Sequence, residues 1–129
     1  LHRVDRRQRQ MCIRDRGSII NIVDVYAEKP LQTHTLYCMA KAGLAMMTRS
    51  LARELGPDIR VNGVSPGPIL WPEAGQMNQQ EIQDATALKR CGTPQDIAQT
   101  VLWLGTQAPF VTGQILAVDG GRSLTLQGS

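Results

Sequence analysis

At 129 residues the chain can bury one hydrophobic core but not several. With 42% hydrophobic and 19% charged residues and a mean hydropathy of −0.20, it has the composition of a soluble α/β domain. No apolar run is long enough to span a bilayer, and the first residues lack the apolar stretch of a secretory signal, so a membrane or exported protein is not expected.

The net charge of +3 is unevenly spread. Residues 1–16, LHRVDRRQRQMCIRDR, hold six arginines against two aspartates, whereas the remainder holds eight basic against nine acidic residues. This segment has neither helical nor strand periodicity. Clustered arginines neutralise phosphates, so a nucleic-acid-binding arm is one reading, but the aromatic residues that stack on bases are missing. Composition changes sharply at Gly17 and MCIRDR resembles translated adapter sequence, so 1–16 is expected to be unrelated to the domain that starts at 17.

From Gly17 the pattern becomes regular. GSIINIVDV, a β-branched apolar run after a glycine, predicts a strand buried on both faces. AEKPLQTHT, with Pro30, predicts a loop. A helix is predicted over 35–55, with Leu36, Ala40, Leu44, Met47, Leu51 and Leu55 as one apolar stripe and Gly56-Pro57 as its stop. IRVNGV at 59–64 predicts a second strand, closed by Ser65-Pro66-Gly67. Residues 68–92 are polar and rich in Gly, Pro and Gln; so long a loop is expected to be functional, often as a lid.

Thr93-Pro94-Gln95-Asp96 predicts a helix start, with Thr93 as cap, Pro94 in the first turn and Asp96 completing a capping box. Ile97, Val101 and Leu104 then form its buried stripe. Gln114–Val118 predicts a last strand, followed by Asp119-Gly120-Gly121. Strands alternating with helices predict an α/β fold with a parallel sheet and covering helices. Cys12, Cys38 and Cys91 have no CxxC spacing, which argues against a disulfide framework or a zinc site and for a reducing, cytoplasmic compartment.

Tyr37 and Lys41 lie four apart, so their side chains share one helix face with Ala45 and Thr48, offset from the predicted stripe. A nearby ammonium favours the ionised phenol, which predicts a lowered Tyr37 pKa and a better general acid. Tyr-x-x-x-Lys alone is a weak signal. Here Asp24 stands at the carboxyl end of the first strand and Pro66-Gly67 at the end of the second, the edge where ligands bind in open parallel sheets. A turn-capping aspartate is the plainer reading of Asp24. His34, three before Tyr37, could line the pocket or simply serve a turn. Trp71 and Glu73 could touch substrate from the long loop or anchor it. Cys38 and the neighbouring methionines are expected in packing, and Asn62 and Asp119 at turns and strand ends.

GSIINIVDV, YCMAK, IRVNGVSPG and VTGQILAVDGG, in that order, resemble the C-terminal half of short-chain dehydrogenases/reductases over roughly residues 17–124. The resemblance implies the C-terminal part of a doubly wound, Rossmann-like parallel sheet. It implies that Tyr37 handles the substrate proton and that Lys41 tunes Tyr37 and binds the nicotinamide ribose. Pro66 and Gly67 would border the nicotinamide. Most of the family carries serine where this chain has Asp24, and an ionised aspartate cannot donate to a substrate carbonyl. Aspartate there is similar to the family's pteridine reductases, as are INIVDVYAEKPLQTHTLYCMAKAGL, ILWPE and VDGGRSL. The implied reaction is NADPH-dependent reduction of a dihydropterin or dihydrofolate by Asp24, Tyr37 and Lys41, in a parent enzyme that is a homotetramer using the long helix as part of its interface. A 3-oxoacyl-carrier-protein or sugar-alcohol reductase is the alternative.

No G-x-G-x-x-G turn occurs in the 129 residues. The family's phosphate-binding turn, its helix-borne asparagine and the residue choosing NAD or NADP would precede Gly17. The chain is therefore expected to lack the dinucleotide-binding half, to bind NADPH poorly alone, and to leave an unpaired strand edge at 18–24.

Overall fold

A computed structural model describes residues 17–69 and 79–125. The segment 1–16 and the loop residues Trp71 and Glu73 lie outside the described residues. Strands β1 (Gly17–Ile22), β2 (Ile59–Pro66) and β3 (Ile115–Val118) form one sheet in the order β1-β2-β3, with both pairings parallel. A tight turn cannot join parallel neighbours, so each connection crosses over through helix. Helix α1 (Thr35–Leu55) joins β1 to β2. Helices α2 (Gln79–Ala85) and α3 (Pro94–Thr106) lie between β2 and β3, and a single turn, α4 (Arg122–Thr125), follows β3. This is the parallel α/β architecture expected from the sequence. No described helix is long and apolar enough to cross a membrane.

Strand parity sets the two layers of packing. Val64 joins Ile97, Leu104 and Ala108 in the buried cluster on the α3 side, with Ile20, Val101 and Val118 packed against it. Alternating with Ile20, Asn21 turns the other way and donates from Nδ2 to Thr48 Oγ1 at 2.9 Å, so α1 covers the opposite face. Helix α3 begins as predicted: Thr93 Oγ1 accepts from Asp96 N, and the Asp96 carboxylate accepts from Thr93 N at 2.8 Å. Its C-terminal end is held by Arg60, whose guanidinium donates to the carbonyls of Leu104, Gly105, Ala108 and Val111. Asn62, fully buried, ties the loop before β3 to the sheet through Val111 O and Gln114 N, a larger role than a strand-end residue.

Several expectations are corrected. The face of α1 that packs is Ala45, Thr48 and Ala52, in line with Lys41, not the predicted stripe; Leu36 is 80% exposed and Met47 46%. Small residues win there because a helix lying on a sheet needs close approach, and larger apolar groups are displaced to the outer surface. Strand β1 is not buried on both faces: Ile19 and Ile22 are about half exposed, because among the described residues β1 pairs only with β2. Strand β2 runs through Pro66, two residues beyond the predicted end, since Ser65 and Pro66 pair with Ala117 and Val118. The predicted loop contains α2, and its ends are pinned by a bridge between Ile69 and Gly92.

Candidate active site

The carboxyl ends of the strands gather the candidate residues. The β1 ladder extends one step past Ile22, as Val23 N donates to Val64 O at 2.8 Å. Asp24 follows in extended backbone and caps a 3-10 turn over Val25–Ala27. Its two oxygens do separate work. Oδ1 accepts from Tyr26 N at 3.0 Å, and Oδ2 accepts from the Tyr37 hydroxyl in a short hydrogen bond. Asp24 therefore caps the turn with one oxygen and holds the Tyr37 hydroxyl with the other.

Tyr37 stands in the first turn of α1 with 40% of its surface exposed. One turn later Lys41 donates from Nζ to Ile22 O at 3.4 Å, with Nζ 5.9 Å from the centroid of the Tyr37 ring. The ammonium thus faces the ring while the carboxylate holds the hydroxyl. This reverses the expected electrostatics: Tyr37 is raised from 10.0 to about 12, first by its hydrogen bond to Asp24, then by burial and the Asp24 charge. Ionising the phenol would forfeit that bond and set two anions together.

Pro66 and Gly67 close the same edge from β2. Gly67 N donates to Val118 O at 3.0 Å, and a Cβ at residue 67 would lie 2.5 Å from Asp119 Cβ and 2.6 Å from its Cα. Only glycine lets this backbone approach so closely. Burial would raise Asp119, but bonds from Ser123 and from Gly121 N outweigh it and lower its pKa. A cavity of about 120 Å³ opens beside Asp24 and is lined also by Glu28, Lys29, Ser65, Ala117 and Ser123. A larger cavity of about 290 Å³, near Pro68, Arg90 and Asp119, includes none of Asp24, Tyr37 or Lys41 in its lining.

The structure brings together Asp24, Tyr37 and Lys41 and sets Pro66 and Gly67 at the neighbouring strand end. His34 is the N-cap residue of α1, and its Nδ1 lies 2.9 Å from Gln32 O and 3.2 Å from Thr33 Oγ1, turned onto the preceding loop. Cys38 is not simply packing: Sγ accepts from Leu31 N at 3.4 Å. Sequence reasoning missed Ser65, Ser123 and the Ile22 carbonyl. Parity could have found Ser65, which alternates with Val64 of the α3-side cluster; the carbonyl carries no residue-type signal.

A family model described as Enoyl-(Acyl carrier protein) reductase matches residues 1–123. The chain is 39% identical over 112 residues to pteridine reductase 1 of Leishmania tarentolae, covering 84% of this chain and 39% of that protein. It is 37% identical over 117 residues to a 3-oxoacyl-[acyl-carrier-protein] reductase of Bos taurus, covering 90% and 49%. Among solved structures, a short-chain dehydrogenase/reductase of Brucella melitensis superposes with a TM-score of 0.75 at 38% identity, covering 81% of this chain and 44% of that one. The chain spans less than half the length of the curated relatives it matches. With its parallel sheet and its tyrosine and lysine one helical turn apart at the strand ends, the chain belongs to the short-chain dehydrogenase/reductase family.

Proposed function

We propose that the chain is the catalytic, C-terminal half of an NADPH-dependent reductase that converts a dihydropterin or dihydrofolate to its tetrahydro form. One observation carries the reading: the Tyr37 hydroxyl donates to an Asp24 carboxylate rather than to a serine. A carboxylate accepts hydrogen bonds and cannot offer one to a carbonyl oxygen. It suits a ring that presents N–H groups.

The residues at this edge fit a nicotinamide nucleotide. The Lys41 ammonium has three donors, one of them directed to Ile22 O, which leaves others for a ribose diol. Gly67 packs its backbone directly against Asp119, where a Cβ would clash, and so fixes the Pro66-Gly67 turn that would border the nicotinamide. When bound, the cofactor supplies the hydride that goes to a ring carbon. Tyr37 gives its hydroxyl proton to the adjoining ring nitrogen, and Asp24 accepts an N–H of the same ring and orients it. Lys41, with Nζ 5.9 Å from the centroid of the Tyr37 ring, holds the cofactor side. Trp71 and Glu73, in the segment after Gly67, are candidates to cover the ring. The exposed Leu36, Met39, Met46 and Met47 on α1 suit a subunit interface, in keeping with a homotetramer in a reducing cytoplasm.

A second reading, 3-oxoacyl-carrier-protein reduction, is favoured by the comparable identity to the Bos taurus enzyme over more of the chain. Steady-state NADPH oxidation by the parent protein with dihydrobiopterin, dihydrofolate and an oxoacyl thioester separates the two. We expect turnover of the pterin or folate that falls at least about 100-fold in Tyr37→Phe. Activity confined to the oxoacyl substrate defeats the proposal.

A further inference from the structure

We infer that Thr33 is a positioning residue, whose left-handed backbone sets the first turn of α1 so that the Tyr37 hydroxyl meets Asp24. The inference rests on Tyr37 and Asp24 being the working pair.

Among the described residues only Thr33 and Lys89 combine a side chain with positive φ, and Thr33 has φ 67. A β-branched residue is disfavoured there, since its Cβ substituents crowd the backbone. His34 N donates to Leu31 O at 3.2 Å, closing a turn over 31–34 in which Thr33 is the third residue. Positive φ at the third position is what type II geometry demands, and it ordinarily selects glycine or asparagine. Such a backbone persists only where its surroundings over-determine it.

Those surroundings are the entrance to α1. His34 is the N-cap residue but makes no side-chain cap hydrogen bond, so the angle at which the chain enters the helix is left to the turn. The turn and the first helical turn are tied twice: Cys38 N donates to His34 O at 2.9 Å, and Leu31 N donates to Cys38 Sγ at 3.4 Å. Tyr37 lies inside that closed segment, one residue before Cys38. Thr33 Oγ1, 3.2 Å from His34 Nδ1, braces the same geometry. A turn with ordinary negative φ at residue 33 would redirect the first helical turn and carry the phenol away from Oδ2.

The test uses the 129-residue chain in a Tyr26→Phe background, where Tyr37 is the remaining tyrosine. Tyrosinate absorbance is followed against pH, with circular dichroism at each point. Asp24 and Cys38 act on the phenol, as does Tyr26 until the background substitution removes it, and the Lys41 ammonium lies 5.9 Å from the ring centroid. Thr33→Asn and Thr33→Gly accept left-handed backbone, so both are expected to keep the Tyr37 transition of the parent, and Thr33→Asn to melt higher. Thr33→Pro fixes φ near −65° and is expected to lower the Tyr37 midpoint by a unit or more while helicity is retained. A Thr33→Pro chain that is folded and titrates like the parent overturns the inference. Should that variant not fold, a Thr33→Asn chain melting below the parent, or one with a displaced Tyr37 midpoint, overturns it equally. The readout needs neither cofactor nor substrate, so failure of the pterin assignment leaves this test intact.

Discussion

Replacing Asp24 by serine tests the central interaction most directly. Tyr37 stands at about 12 against an ordinary 10.0, and the Asp24 hydrogen bond is the largest cause. Unscreened, two units correspond to roughly 2.7 kcal/mol. Because Tyr37 is 40% exposed, solvent screening reduces this, and about 1 kcal/mol is a fair expectation. The folded-state pKa is raised, so this stabilisation is fully present below pH 10.0 and disappears as pH climbs towards about 12. Asp24→Ser should therefore lower the Tyr37 midpoint by about one unit and cost about 1 kcal/mol at neutral pH. Asp24→Asn, which keeps an acceptor but removes the charge, should fall between. Spectrophotometric titration in a Tyr26→Phe background reads the first quantity, and urea unfolding at neutral and alkaline pH reads the second. An Asp24→Ser midpoint still near that of the parent would refute the assignment of the shift to Asp24.

Two further outcomes follow from the packing. Arg60→Ala strips the carbonyls of Leu104, Gly105, Ala108 and Val111 of a charged donor at the end of α3, so the urea midpoint should drop by the equivalent of about 2–4 kcal/mol at unchanged slope. Arg60→Lys should recover little, because an ammonium cannot fork across several acceptors. Asp96 is held at about 2, chiefly by its hydrogen bond from Arg90 and then by Thr93 N, so its contribution is present above 3.8 and is lost as pH falls towards about 2. In Arg90→Ala the Asp96 carboxyl resonance should titrate at higher pH, and acid unfolding should begin earlier; an unmoved resonance would contradict the pairing.

The elements were legible where local chemistry decides them. The Thr93–Asp96 capping box and the Gly56-Pro57 stop are short-range signals, and α3 begins and α1 ends where these say. What failed is what depends on neighbours. Leu36 and Met47 belong to the longest apolar stripe of α1, yet Ala45, Thr48 and Ala52 take the sheet-facing side. A hydrophobic pattern reports which side chains avoid water, not which partner covers them, and a helix packed closely on a sheet selects small residues instead. The β-branched run at 17–22 read as doubly buried for a similar reason: composition gives the strand, but its place at the edge of the described sheet is a property of topology.

For the site, spacing brought Tyr37, Lys41 and Asp24 to one edge, but it misjudged which partner controls the phenol. Four residues of helix place Lys41 over the ring, whereas thirteen residues of turn and loop bring the Asp24 carboxylate onto the hydroxyl itself. Direct hydrogen bonding outweighs a cation several ångströms away. On the proposed reading this has a consequence for substrate choice. A phenol held near 12 by a carboxylate is a reluctant acid until something else satisfies that carboxylate. A ring N–H directed at Asp24 would do so, releasing the Tyr37 proton as the substrate binds. A simple carbonyl substrate has no donor for Asp24 and would meet a hydroxyl still committed to it. The same hydrogen bond would thereby favour one substrate class and slow the other.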